Sequence, residues 1–484
     1  MSLRKTAVSG LAWTFTQQFS SQIITFIVSV ILARFLSPAE FGLIGMLSIF
    51  ISIGITLMDS GLTTSLIRTP DADQKDYSTV FFINITGSVI FYLLLFFAAP
   101  AIASFYKHDI LTWLVRVYGL TFIIQAFVSV QRTRLTKIMD FKTQLTIQIP
   151  SILGGGILGI VLAKLGYGVW SLVWMSLFQS LLSTIQHWIF AGWSPDFIFD
   201  KQRFKHHFNF GYKIAISSLV STLYSNIYTL IIGRYFSAAQ VGYYTRSWSL
   251  RQLPISNLST ALNKVSFPMF SAINNDDVLL KIAYRKVMQQ LLFWLTPLLI
   301  LLTIIAEPFI RILLTDKWLP EVPYFQILCI AGIMYPLKYN LDILKVKGKS
   351  ALYMQLEIVK KIYGLAAIFF AVHYGIMGLL YCQLILDVVE YFVNSISCGR
   401  IINYPILEQI RDFSPIILIA VCVGALSWFV DSMFFKAYHI NDVIRISAVS
   451  IFFMGLYFII SSLLKISAVS DFRQIVFKEM LAKA

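Results

Sequence analysis

Apolar stretches follow one another along the whole of this chain, each close to the twenty or so residues that a helix needs to cross about 30 Å of hydrocarbon. They fall near 11–34, 41–62, 79–99, 110–130, 145–163, 168–190, 212–234, 245–268, 288–306, 321–340, 352–373, 376–397, 413–431 and 443–463. Charged residues make up 13% of the 484, against about a quarter in soluble domains, and hydrophobic residues 57%, so a water-soluble core does not account for the balance. The expectation is an all-α membrane protein of about fourteen transmembrane helices.

The formal charge of +15 raises the question of nucleic acid, and its placement answers it. When the chain is threaded with its N-terminus in the cytoplasm, about 28 of the 39 Lys and Arg fall on the cytoplasmic side or its helix ends, about 8 outside and about 3 inside helices. Cytoplasmic loops carry that excess, which puts both termini inside. Basic runs such as Arg132-Thr-Arg134-Leu-Thr-Lys137 and Lys201-Gln-Arg203-Phe-Lys205-His206-His207 read mainly as topology signals, with a hold on anionic headgroups as the other reading. Cys329, Cys382, Cys398 and Cys422 show neither a disulfide framework nor metal-like spacing. The first apolar stretch, after Arg4 and Lys5, is too long and too polar for a signal-peptide core and is expected to remain as a membrane helix.

The chain also repeats itself at an offset of two hundred residues. Gln18, Ser21, Gln22, Thr25 and Ser29 correspond to Ser218, Ser221, Thr222, Ser225 and Thr229, all polar. Arg34, Ser37, Ala39 and Gly42 return as Arg234, Ser237, Ala239 and Gly242, and Ser52, Thr56, Asp59 and Thr63 as Gln252, Ser256, Ser259 and Asn263. A weaker echo joins Tyr167-Gly168-Val169 to Tyr374-Gly375-Ile376. An even number of helices separates the copies, so both enter the membrane in the same sense, as in transporters with parallel repeats about an axis along the membrane normal. Two pseudo-twofold-related six-helix lobes follow, at 1–190 and 212–400, joined by a cytoplasmic linker at 191–211. A C-terminal helix pair and tail occupy 401–484.

Residues three or four apart share a helix face. Thr14, Gln18, Ser21, Gln22, Thr25 and Ser29 make one polar stripe, and the corresponding positions make three more. Lipid cannot satisfy these groups, so the four faces are expected to turn toward each other or toward water around a central polar cavity. Small hydroxyls also serve close helix packing, but the wide amides of Gln18, Gln22, Gln252 and Asn263 are poor spacers and favour a cavity. Asp59 is an intramembrane acid on one stripe, open to a coupling cation, to protonation, or to pairing with Arg68. Arg116, Arg246 and Arg251 lie in outer helix halves, where paired guanidinium donors suit a transported phosphate. On a helical wheel Arg246 and Arg251 stand about 100° from their stripe, so they either flank the cavity or snorkel outward. Asp387 and Glu390 share a face, with Lys360 and Lys361 at similar depth as ion-pair partners.

No catalytic constellation, phosphate loop or cofactor motif stands out, so an enzyme is not expected. Leu32-Ala-Arg34-Phe-Leu-Ser-Pro-Ala-Glu40-Phe-Gly42, Ile232-Gly-Arg234, Val241-Gly-Tyr-Tyr244, Pro254, Val265-Ser-Phe-Pro268, Tyr167-Gly-Val-Trp170 and Leu344-Lys-Val-Lys-Gly348 come in the order and spacing of one family. Over its whole length the chain resembles the Wzx-type polysaccharide flippases, which belong to the multidrug/oligosaccharidyl-lipid/polysaccharide exporter superfamily. The resemblance implies alternating access that carries an undecaprenyl-pyrophosphate-linked oligosaccharide from cytoplasm to periplasm for O-antigen, capsule or exopolysaccharide synthesis. Its partners would be that lipid-linked oligosaccharide, membrane lipids, and a polysaccharide polymerase with chain-length machinery. Relatives often carry an acid just before the Ile-Gly-Arg, where this chain has Tyr228, which puts ion coupling there in doubt. Two other readings are a drug/cation antiporter of the same superfamily, testable by dye export, and a membrane-embedded polymerase or ligase, which would want a large outer loop.

Overall fold

In a computed structural model the chain is described over residues 3–59, 61–438 and 440–469, with backbone alone at 3–12, 58, 59, 260–265, 267 and 338–342. Every regular element among the described residues is helical. The chain divides into two compact units, Met1–Gly242 and Tyr243–Ala484. The first holds α1 (Leu3–Phe35), α2 (Pro38–Asp59), a short α3 (Leu62–Arg68), α4 (Gln74–Tyr106), α5 (Ile110–Tyr118), α6 (Leu120–Lys137), α7 (Phe141–Lys164), α8 (Val169–Phe190), α9 (Lys201–Ser225) and α10 (Ile227–Tyr235). It ends in the opening turn of α11 (Ala238–Ala272). The second continues with α12 (Asp277–Ile304), α13 (Ala306–Leu314), α14 (Val322–Gly332), α15 (Asn340–Val346), α16 (Ser350–Ala371), α17 (Gly375–Gly399), α18 (Ile406–Val430) and α19 (Asp442–Leu463).

Nine described stretches are long and apolar enough to cross a membrane, and ten when α9 and α10 count as one span bent by 46°. The stretch Ser350–Gly399, at 50 residues, is more than twice the length of one crossing. The figure of fourteen is not reached on this count. The Gln and Ser residues of α8 and the Arg, Gln and Asn residues of α11 lower their apolar character, and α14 is only 11 residues long.

The repeat seen in the sequence reappears as local structure. Before α2, the Ser37 N–H donates to the Glu40 carboxylate at 2.6 Å while the Glu40 N–H reaches the Ser37 hydroxyl at 3.4 Å. Before α11, Ser237 and Gln240 make the same reciprocal pair at 3.1 and 3.3 Å. Both are capping boxes, in which two orphaned helix N–H groups are satisfied at once. The weaker echo has a local counterpart as well: Gly168 immediately precedes α8 and Gly375 opens α17, with φ of 56° and 74°, where a side chain would be strained.

In the first unit α7 packs between α1 and α8 through glycines. A β-carbon at Gly156 would lie 2.6 Å from Val28, and one at Gly159 2.9 Å from Met175, so larger residues would push the helices apart. In the second unit α12 packs on α14 and α18, and Tyr284, Phe293, Trp318 and Tyr457 are buried in that core. One end of this unit carries an ion-pair network. Arg445 grips Asp431 with two bonds of 2.6 Å, and Arg311 reaches Glu307, Asp316 and Asp442 at 2.9 to 3.2 Å. Glu307, Arg311, Asp442 and Arg445 border a hollow of about 460 Å³. The network's donors and acceptors are spent on one another, which suits a staple between α13, α19 and the turn that follows α18.

Candidate functional site

Four stripes were expected, and two of them meet within the first unit. The Thr56 hydroxyl on α2 and the Thr222 hydroxyl on α9 are 3.0 Å apart and share a hydrogen bond. Backbone contacts close the α2–α9 seam at one end. A β-carbon at Gly61 would sit 2.5 Å from the Gly211 carbonyl oxygen, and one at Gly211 2.8 Å from the Gly61 carbonyl carbon. At the far end of α2 a β-carbon on Gly42 would lie 1.7 Å from the Ala238 carbonyl oxygen, and one on Gly242 2.0 Å from the Pro38 carbonyl oxygen. The latter contact is reciprocal. Position 38 of one copy meets 242 of the other, and 238 meets 42.

Between these ends the α9–α10 span breaks. Asn226 stands at the bend, and its side-chain amide donates to the Thr222 carbonyl at 2.8 Å. Ser225 donates to the same carbonyl at 3.0 Å. The Thr222 carbonyl also keeps its ladder bond from the Asn226 N–H at 3.2 Å, so the two side chains reinforce the last turn before the bend. Discontinuous helices of this kind border substrate sites in transporters. Asn226 was not among the expected site residues, although Ser225-Asn226 within an apolar stretch was a visible signal.

Gln18 and Gln22 lie half-buried on α1, while Thr25 on the same stripe is exposed. The neighbouring Gln17 is engaged with α7, its amide N–H donating to the side-chain oxygen (Oε1) of Gln148 at 2.5 Å. The side chains of Asp59 and Asn263 lie outside the described residues, and Gln252 is half-buried on α11. Arg68, a suggested partner for Asp59, stacks over the Phe210 ring at 4.6 Å. Arg116 is held against α4, its Nε donating to the Phe96 carbonyl at 3.3 Å with the guanidinium 4.3 Å from the Phe96 ring centre. Arg246 and Arg251 are buried inside the second unit, 7% and 2% exposed. Arg251 donates to the Leu328 carbonyl on α14 at 3.1 Å and stacks on Trp248 at 4.1 Å. Lys360 pairs with Glu357, one turn before it on α16.

A buried cluster that the sequence did not announce ties α3, α4 and α9 together. His207 Nδ1 lies 2.8 Å from the Ser65 hydroxyl, and its Nε2 lies 3.0 Å from the Asp76 carboxylate. Arg203 reaches the other Asp76 oxygen at 3.2 Å. The order Ser–His–Asp is that of a hydrolase triad, but all three side chains are buried, which leaves a scissile bond no approach. The cluster fixes helix positions instead. At its edge the Asp73 carboxyl is held below its usual value by the Asp76 N–H, with Arg203 adding to the effect. Asp200, which caps α9, is lowered likewise by the N–H groups of Arg203 and Gln202.

These features define a multi-pass helical membrane protein whose repeated segments face each other across a seam. Residues 31–323 match the model of the family of polysaccharide biosynthesis proteins, and the chain belongs to that family. It is 27% identical over 432 residues to the teichuronic acid biosynthesis protein TuaB of Bacillus subtilis, covering 88% of this chain and 89% of that protein. To the lipopolysaccharide biosynthesis protein WzxC of Escherichia coli it is 22% identical, covering 81% and 82%. Among solved structures it resembles the lipid II flippase MurJ in an inward closed conformation, with a TM-score of 0.74 over 94% of this chain and 99% of that one. At 14% identity that likeness establishes the fold.

Proposed function

We propose that the protein is a flippase that moves an undecaprenyl-pyrophosphate-linked oligosaccharide from the cytoplasmic to the periplasmic leaflet by alternating access, in the synthesis of a surface polysaccharide. The observation that carries this reading is the hydroxyl-bearing α2–α9 seam, closed by Gly61 and Gly211 at one end, with Gly42 and Gly242 in contact at the other end of α2. Membership of the polysaccharide biosynthesis family supplies the cargo class. A pyrophosphate and several sugars cannot enter hydrocarbon alone, because each buried polar group costs roughly 2–7 kcal/mol without a replacement hydrogen bond. Hydroxyls and amides along the path supply those replacements. Backbone-to-backbone closures at its two ends can part without unpacking large side chains.

In this reading the Gly42–Gly242 end faces the periplasm and the Gly61–Gly211 end the cytoplasm, as the basic run from Lys201 to His207 requires. Gln18, Gln22, Gln252 and Asn263 line the path, with Asp59 near its inner end. Arg116, Arg246 and Arg251 meet the cargo's phosphates only in a state that frees them from their present contacts. Deletion of the gene should accumulate lipid-linked repeat units. Wild-type protein should clear them, whereas Asp59→Ala, Gln18→Leu and Gln252→Leu should do so poorly. Normal polysaccharide from all three variants at normal protein levels would refute the assignment. Loss of dye export without any change in surface sugar would point to the antiporter instead.

A further inference from the structure

Beside the inner closure lies an apolar groove of about 400 Å³ between α2, α4 and α9, walled by Leu57, Ile83, Phe91, Phe208, Tyr212 and Ile216. Its lining includes Gly61 and Gly211, the two residues in backbone contact at that end of the seam. Several lining side chains are turned outward, with Ile90, Leu94 and Ile216 exposed by 54%, 63% and 56%. Its one amide, on Asn84, already donates to the Ser129 hydroxyl at 2.7 Å, so the groove offers water almost no partners. Within a bilayer such a hollow fills with hydrocarbon.

Charge selects which hydrocarbon. Lys205, Phe208, Tyr212 and Ile216 follow one another on α9 at helical spacing, so the groove wall is headed, at its cytoplasmic end, by an exposed cation. Lys213 and Arg68 stand nearby, the first 5.9 Å from the Tyr212 ring and the second over Phe210. An apolar slot headed by an ammonium group suits a chain that ends in phosphate. A phospholipid brings two chains side by side, and a hollow of about 400 Å³ has room for roughly one of them. A polyprenyl diphosphate brings one.

We infer that the α2–α4–α9 groove seats the first few isoprene units of the lipid carrier's polyprenyl chain, with the diphosphate end toward Lys205 and the rest of the chain in the bilayer. This deepens the function proposed above and rests on it. A chain lying there presses against the Gly61–Gly211 contact, the closure that must part for the headgroup to reach Thr56 and Thr222. Seating of the tail and opening of the inner end then become one event.

Gly87 provides a clean test, because it lines the groove and a β-carbon added to it meets nothing within 4 Å. Gly87→Phe should therefore fill the slot without moving the backbone, and Ile216→Trp should fill it from another wall. Gly87→Ala, too small to fill it, is the control. The full-length protein in nanodiscs is titrated with undecaprenyl diphosphate, and separately with phosphatidylglycerol. Both plugging variants should weaken undecaprenyl diphosphate binding about tenfold or more, as expected when contact with a few methylenes is lost. Lys205→Gln should weaken the diphosphate severalfold and leave uncharged undecaprenol unchanged. Phosphatidylglycerol binding should stay within twofold of wild type throughout. An equal loss of phosphatidylglycerol binding would overturn the carrier assignment in favour of a phospholipid site. Unchanged undecaprenyl diphosphate affinity in both plugged variants, with repeat units still accumulating on gene deletion, would overturn the groove and leave the flippase reading intact. No binding to wild type and no accumulation on deletion would overturn both.

Discussion

Adding one methyl group at Gly42 should force the outer closure open. A β-carbon there would lie 1.7 Å from the Ala238 carbonyl oxygen, whereas ordinary contact begins at 3.4 Å, so the backbones must separate by about 1.7 Å. The obstacle is a main-chain carbonyl, which cannot swing aside as a flexible side chain would. Overpacking of this kind costs about 1–3 kcal/mol, and here the cost falls only on states in which 38–42 and 238–242 touch. Charged against the closed state alone, it shifts the balance toward outward opening by roughly 5- to 150-fold. Val241, fully buried beside Gly242, is the reporter. In a chain with Cys382 and Cys422 replaced, Val241→Cys should react slowly with a membrane-impermeant maleimide from the periplasmic side, and much faster when Gly42→Ala is added. Gly61→Ala, whose β-carbon would lie 2.5 Å from the Gly211 carbonyl oxygen, should favour the opposite opening and should not raise labelling. Equal labelling with and without Gly42→Ala, or equal increases from both glycine variants in folded protein, would refute alternating closure at these ends.

Three further outcomes follow from the same structure. Asp431→Ala strands the buried Arg445 guanidinium and should cost about 3–5 kcal/mol of stability, read as a fall in melting temperature in detergent. The double variant Asp431→Leu/Arg445→Leu should recover much of that loss, and a double variant as unstable as the single would argue against the pair. Asn226→Leu removes the amide that braces the last turn of α9 at the bend, leaving the Thr222 carbonyl its backbone partner, and should lower clearance of lipid-linked repeat units at normal protein levels. Unimpaired clearance would make the bend incidental. The lowered carboxyls of Asp73 and Asp200 add stability above the usual carboxylate range, near pH 4, and lose it as pH falls through their depressed values. Protection of the first-turn amides of α4 and α9, measured against their intrinsic exchange rates at each pH, should fall on acidification through that window, and constant protection at those N–H groups would dissociate the caps from the titration.

What could be read from the sequence follows from what each residue type reports by itself. Twenty apolar residues in a row mark a membrane span without reference to any distant partner. The repeated Ser37 and Ser237 are equally self-sufficient, because a capping box closes within four residues. The stripes were legible as faces, and Thr56 does find Thr222. The partner of a glycine is not legible at all: Gly42 and Gly242 look alike in sequence whether they face lipid or another backbone, and only the fold brings 238 to within reach of 42. Position on a wheel warned that Arg246 and Arg251 stood away from their stripe, but not that α14 would supply a carbonyl to Arg251. His207 was hidden in a run of basic residues read for topology, and its role depends on Asp76, 131 positions earlier. The groove is the hardest case, since Ile83, Phe91 and Ile216 are the residues any lipid-facing helix would carry. What sets them apart is the absence of a side chain at Gly87 and a lysine two turns above Tyr212. Concavity, unlike hydropathy, is a property of three helices together, and no window along one chain segment contains it.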